Sequence, residues 1–221
     1  MLNSKEIVIE KAIKYVKDFF EGESSGHDFF HTMRVFNNAK MLIDNEEKTQ
    51  TVKRDIALLA ALLHDVDDHK ISPETNQNKD NAVKFLKENN IDGEDIKFIV
   101  KIIAEVSYMG KDSITPNTIE GKIVQDADRI DAIGAIGIAR TFAFGGKNGR
   151  VMYNPEIKPK QNMSKEDYKN SKSTTINHFY EKLLLLKDLM NTDSGKKLAE
   201  QRTIFMENFL DEFYAEWEGK K

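Results

Sequence analysis

Residues 51–68 read TVKRDIALLAALLHDVDD, and the character of the chain turns on them. Ile56, Leu59 and Leu63 recur at helical spacing, so Thr51 to Val66 reads as a helix with one apolar stripe. That stripe runs into His64-Asp65, with Asp67 and Asp68 close behind. An apolar helix ending in an imidazole and three carboxylates is either a solvated acidic end or a place where ion-binding groups meet a core. Taken alone, a His-Asp pair does not separate the two.

Helical patterns continue on both sides. Ser4 is placed to cap a first helix carrying Ile9, Ile13, Val16 and Phe20, with Gly22 near its end. A second helix is expected from about Asp28, with Phe29, Met33, Phe36 and Ile43 among its apolar residues. Beyond Ser72-Pro73, short helices are expected near 79–89 and 93–108, the latter opening after Asp92. A further one runs from Pro116 through VQDADRIDAIGAIGIARTF, to be stopped by Gly145-Gly146. Residues 145–163, GGKNGRVMYNPEIKPKQNM, read as the one long loop. Ser164 with Asp167 resembles a capping box for a helix reaching about Met190. In the last helix Met206, Leu210, Phe213 and Trp217 follow spacings of four, three and four. No alternating strand pattern stands out, so the class is all-α, with the 221 residues expected to form one helical domain.

Composition narrows the chemistry. Charged residues make up 32% and hydrophobic residues 39%, no apolar run approaches a membrane span, and the N-terminus has no signal-peptide core. A cytoplasmic location and no membrane partner are the expectation. The net charge of −4 argues against broad nucleic-acid binding. With no cysteine, disulfides, iron–sulfur clusters and thiolate zinc sites are excluded. A metal here must sit on His, Asp and Glu, which suits manganese first, with iron, magnesium, cobalt or nickel as alternatives.

Three of the five histidines sit in GHDFFHTMRV (26–35) and LLHDVDD (62–68), and VQDADRIDAIGA (124–135) adds three aspartates, Asp126, Asp128 and Asp131. Neutral imidazole and ionised carboxylate are good ligands for a divalent ion. Neighbours on a helix point about 100° apart, so His64 and Asp65 can flank one ion. His31 and one aspartate of the Asp126-Ala127-Asp128 triplet would arrive from two other helices. The ion would then cross-link a bundle and keep positions open for water and substrate, as metal-assisted hydrolysis requires.

At these residues the chain resembles the HD-domain superfamily of metal-dependent phosphohydrolases, over roughly residues 26–140. The C-terminal part, including STTINHFYEKLLLLKDLMNT, is similar to a bacterial subfamily of small nucleotide-hydrolysing HD proteins, the YpgQ-like group. The resemblance implies His31, His64, Asp65 and Asp128 as metal ligands, the last because Ala127-Asp128-Arg129-Ile130 fits the motif. Asp126 is the competitor: on a helical wheel it falls among Ile123, Ile130 and Ile133, whereas Asp128 shares a side with Asp131. An aspartate buried among isoleucines also needs a partner.

Several members of the superfamily place a catalytic carboxylate at the spacing of Asp68, four residues after His64, with Asp67 the weaker choice. If the helix persists through Asp67, Asp68 shares the His64 face and acts as base, the alternative being a solvated helix end. His27 either binds a phosphate oxygen or caps the second helix. Arg34 either pairs with a ligand carboxylate or reaches substrate. Arg140, Lys147 and Arg150, with Lys158, Lys160 and the ring of Tyr153, offer phosphate- and base-binding groups if the long loop covers the metal. Together these imply hydrolysis of a phosphoanhydride bond in a nucleoside di- or triphosphate. The alternatives are a nucleoside monophosphate phosphatase, a helical regulatory module with a vestigial site, and a two-iron oxygenase using His27 and Asp68 as extra ligands. The oligomeric state is open.

Overall fold

The computed structural model describes residues 4–23, 28–107, 113–160 and 173–221, and among these no residue is in a strand. In chain order the elements are α1 (Ser4–Phe19), α2 (Phe29–Glu46), α3 (Arg54–Leu63), α4 (Asp80–Glu88), α5 (Gly93–Val106), α6 (Ile119–Asp131) and α7 (Gly134–Lys147). After them come α8 (Asn177–Glu181), a 3₁₀ segment (Leu183–Leu189) and α9 (Asp193–Trp217). The chain forms two compact units, one from the described residues of Met1–Ser107 and Ile114–Asp128, the other chiefly from Arg129–Lys221.

In the first unit α3 is central. Every residue from Ile56 to Leu63 is buried, and α1, α2 and α5 all pack on it. A helix apolar on all sides has no solvent face to offer, so it belongs in the middle of a bundle. Val35, Leu42 and Ile43 of α2, Ile99 and Ile102 of α5 and Ile123 of α6 complete this core. Local capping sets where two of these helices begin. The Asp28 carboxylate accepts from the His31 N–H at 2.7 Å and starts α2. Asp92 accepts from the Glu94 N–H at 2.9 Å and starts α5. Both satisfy amide groups that the first helical turn leaves without partners.

The second unit is built on α9, whose first turn is capped by Thr192. Met206 and Leu210 are buried with Ile176, Phe179, Leu183 and Leu186, whereas Trp217 at the helix end stays half exposed. An aromatic ladder carries the packing outward: Phe179 stacks on Phe209 at 5.9 Å, and Tyr153 meets Phe213, Tyr214 and Trp217 edge-on.

Three sequence expectations fail here. The single helix from Pro116 to Phe144 is two, α6 and α7, broken at Gly134, whose φ of +75° an L side chain rarely adopts. Gly145-Gly146 does not end α7, which runs on to Lys147; Gly145 is instead the spot where Thr175 lies against the helix. The expected helix up to Met190 is not continuous: 173–176 is non-helical, and its later part divides into α8 and the 3₁₀ segment. The Ser164–Asp167 capping box lies outside the described residues. No helix among the described residues is long and apolar enough to cross a membrane.

Candidate metal centre

All four residues named as ligands lie in the first unit. His31 stands in the first turn of α2, set there by the Asp28 cap. His64 and Asp65 follow directly on α3, which ends at Leu63, so His64 caps the helix and 64–67 form a turn. Asp128 is near the end of α6, which is tied to α2 by a bond from Asn38 Nδ2 to the Ala127 carbonyl at 3.2 Å.

The groups converge. His31, His64 and Asp65 are buried, and each offers a ligand atom within 4.8 Å of the other two. His31 Nε2 is 3.3 Å from Asp65 Oδ2 and 3.5 Å from Asp128 Oδ1. His64 Nε2 is 3.3 Å from Asp65 Oδ2 and 3.9 Å from Asp128 Oδ1. The imidazoles stand nearly edge to face, 5.3 Å apart. The Asp128 side chain keeps 28% of its surface exposed against 8% for Asp65, so the cluster opens on the Asp128 side. Asp126, two residues earlier on the same helix, is fully buried.

His64 shows how the site is prepared. Its Nδ1 lies 2.9 Å from the Ala61 carbonyl, to which an Nδ1–H donates. That bond leaves Nε2 as the coordinating atom, and such outer partners orient metal-binding histidines. Buried Nε2 makes no hydrogen bond in the structure, although it lies within ion-pair distance of two carboxylates. Burial pushes the ring's pKa down, but Asp65 first and Asp128 after it overcome this and hold it at about 9. On the protein's own groups the site therefore draws positive charge to Nε2. Two imidazoles and two carboxylates around one such point fit a divalent cation, which would sit where the proton otherwise does.

The other residues named from the sequence make contacts of their own. Because α3 stops at Leu63, Asp68 is not one helical turn beyond His64. It follows the turn, with Oδ1 accepting the Lys70 N–H at 2.9 Å and lying 3.5 Å from His69 Nδ1. Arg34 is half-buried on α2, and His27 lies outside the described residues. Arg140, Lys147 and Arg150 belong to the second unit: Arg140 pairs with the buried Asp131 carboxylate, and Arg150 lies over the Phe144 ring at 5.5 Å. The loop after α7 is anchored there rather than free. Thr175 and Ile176 donate to the Val151 and Met152 carbonyls, and Asn177 Nδ2 donates to the Ile157 carbonyl. Roles that sequence reasoning missed are those of Asn38, which ties α2 to α6, and of Asp67 with Asn81, which hold the turn. Their partners are distant in sequence, so no local pattern signals them.

Known proteins are similar to this chain in sequence and fold. The HD domain family model matches residues 28–133. YpgQ of Bacillus subtilis is 36% identical over 205 residues, which is 91% of this chain and 89% of that one. A solved structure from Lactobacillus plantarum superposes with a TM-score of 0.83 at 37% identity, covering 99% of this chain and 100% of its own. An HD-superfamily hydrolase from Bacillus thuringiensis does so with a TM-score of 0.75 at 44% identity, covering 97% and 98%. B. subtilis YpgQ in complex with ADP superposes with a TM-score of 0.74 at 32% identity, covering 97% of each chain. With this similarity running over nearly its whole length, the chain belongs to the HD-domain superfamily of metal-dependent phosphohydrolases, in its YpgQ-like group.

Proposed function

We propose that this hydrolase holds a divalent ion on His31, His64, Asp65 and Asp128 and cleaves a phosphoanhydride bond of a nucleoside di- or triphosphate. The observation that carries the site is the buried His64 Nε2, which makes no hydrogen bond and faces two carboxylates. The nucleotide class is supported by the ADP complex of B. subtilis YpgQ.

An ion held by these four residues would supply a coordinated water of lowered pKa and polarisation of a phosphoryl oxygen. Asp68 takes the proton of the attacking water as the new P–O bond forms and the anhydride bond breaks. Its carboxylate suits that role: the Lys70 N–H holds Oδ1, and only 12% of the side chain is exposed. Arg34, one turn after His31, is proposed to meet phosphate, and His27 is proposed as a second contact. Arg140, Lys147 and Arg150 are proposed phosphate-binding charges, to be tested by neutralising each. Manganese is the proposed ion and the cytoplasm the proposed location.

The deciding experiment incubates the metal-stripped protein with Mn²⁺ and a panel of nucleoside mono-, di- and triphosphates, and identifies the products by chromatography. Pyrophosphate with monophosphate, or orthophosphate with a shortened nucleotide, supports the reading and names the bond. Release of nucleoside from monophosphates alone replaces it with a monophosphate phosphatase. No hydrolysis of any nucleotide by metal-loaded protein overturns it.

A further inference from the structure

Asp67 is fully buried, yet it is not among the ligand groups. Its Oδ1 accepts the Asn81 N–H at 3.1 Å and its Oδ2 the Ala82 N–H at 2.9 Å. These are first-turn amides of α4, whose own capping position is Lys79, a residue at φ +58° with no side-chain cap. Asp67 therefore caps α4 from a distant part of the chain, placing a carboxylate at the positive end of the helix.

The same contact holds the turn that carries His64 and Asp65. Beyond Leu63 the helix gives way to turn bonds, from the Val66 N–H to the Leu63 carbonyl and the Asp68 N–H to the Asp65 carbonyl, and bonds from outside add to them. The Asp67 carbonyl accepts from Asn76 Nδ2 at 2.6 Å and from Lys79 Nζ at 3.4 Å. Asn81 Nδ2 donates to the Val66 carbonyl at 3.1 Å and reaches Thr75 Oγ1. Two consecutive residues directly after Asp65 are thus clamped to the 75–82 segment by side chain and backbone together.

We propose that Asp67, with Asn81, is a positioning residue that presets His64 and Asp65 for the metal. The inference rests on the metal reading above, and it separates from a merely structural role because a clamp on the ligand turn sets affinity as well as folding. In Asp67→Asn one acceptor becomes an N–H₂ group pointing at an amide N–H, and the charge at the α4 terminus is lost.

The test titrates Mn²⁺ into metal-stripped full-length protein, following free Mn²⁺ by electron paramagnetic resonance, with thermal melts on the same samples. Asp67→Asn should weaken Mn²⁺ binding about 10–100-fold, the range seen when outer-shell partners of metal ligands are lost. Its kcat should return toward wild type at saturating Mn²⁺, because ligands and base are intact. Should this variant not fold, Asn81→Ala keeps the carboxylate cap and removes the side-chain bonds to Val66 and Thr75; it should weaken Mn²⁺ several-fold, roughly the lower part of that range. A lowered Tm with unchanged Mn²⁺ affinity overturns the proposal in either variant, as does a kcat loss that excess Mn²⁺ does not restore. Wild-type protein that takes up no Mn²⁺ overturns the metal reading itself, and this inference with it.

Discussion

His64 and Asp128 differ in how much of their role is local. His64 is oriented by the Ala61 carbonyl one turn back, so its Nε2 points to the cluster wherever α3 goes. His64→Ala and Asp65→Ala should abolish both hydrolysis and metal retention while circular dichroism keeps most of the helix signal; full activity with normal metal content in either would displace the site. Asp128, which the motif prefers to Asp126, needs the fold to bring its Oδ1 within 3.5 Å of His31, while Asp126 is wholly buried. Elemental analysis should therefore find Asp128→Ala depleted of metal, and Asp126→Ala loaded but less stable. The third residue-level test concerns Asp68. Asp68→Asn should bind metal and nucleotide yet lose turnover by roughly 10²–10⁴-fold, mainly in kcat, as expected on removing a general base. Loss of metal in that variant would make Asp68 a ligand, and near-normal kcat would leave it a partly solvated carboxylate.

At the scale of elements, caps made within a few residues of a helix start were legible and those made across the fold were not. Asp28 and Asp92 each stand immediately before the helix they start, and the sequence reading put both starts correctly. The glycines of the α6–α7 region were misread because glycine serves two purposes. At Gly134 it supplies a positive φ, with Arg202 lying over it, whereas at Gly137 and Gly145 it admits a close neighbour inside a helix. A methyl group at Gly145 would run into Thr175 Oγ1, and Thr175 is buried. Gly145→Ala should accordingly cost about 1–3 kcal/mol, the usual penalty for overpacking. Combining it with Thr175→Ala should recover part of the loss, a coupling that a double-mutant cycle of melting curves would measure. Additive losses would mean the helix shifts to accommodate the methyl.

For the molecule as a whole, binding and acid sensitivity are expected to reside in different units. Metal bound only by the folded state adds about 2.7 kcal/mol at a concentration 100 times its Kd. Chelation should lower Tm and Mn²⁺ should restore it; an unchanged Tm would argue against the buried site. The second unit carries His178, whose pKa burial and then the Lys182 and Arg150 charges push from 6.5 to about 3. Between these values the unfolded chain binds a proton that the folded one refuses. The histidine's penalty is absent above about pH 6.5 and grows as pH falls toward 3, at up to about 1.4 kcal/mol per unit. His178→Gln should flatten the fall in Tm between pH 6 and 4 relative to wild type. Parallel curves would show that His178 is not the group responsible.

The sequence by itself determined the all-helical class, the order of His31, His64-Asp65 and the later aspartate, and the absence of thiolate chemistry. Those properties are local: apolar spacing, caps next to their helices, and residue types whose chemistry does not depend on the fold. The resemblance to HD hydrolases likewise rested on short motifs, and similarity over nearly the whole chain bears it out. Tertiary structure alone decided that α3 ends at Leu63, that Asp67 caps a helix more than ten residues away, and that Asp128 comes within 3.5 Å of His31. Each of these depends on which distant backbone amide or buried surface a carboxylate meets. A carboxylate in the chain looks the same whether it will hold a cation, cap a remote helix or face water, and only the folded surroundings assign the difference.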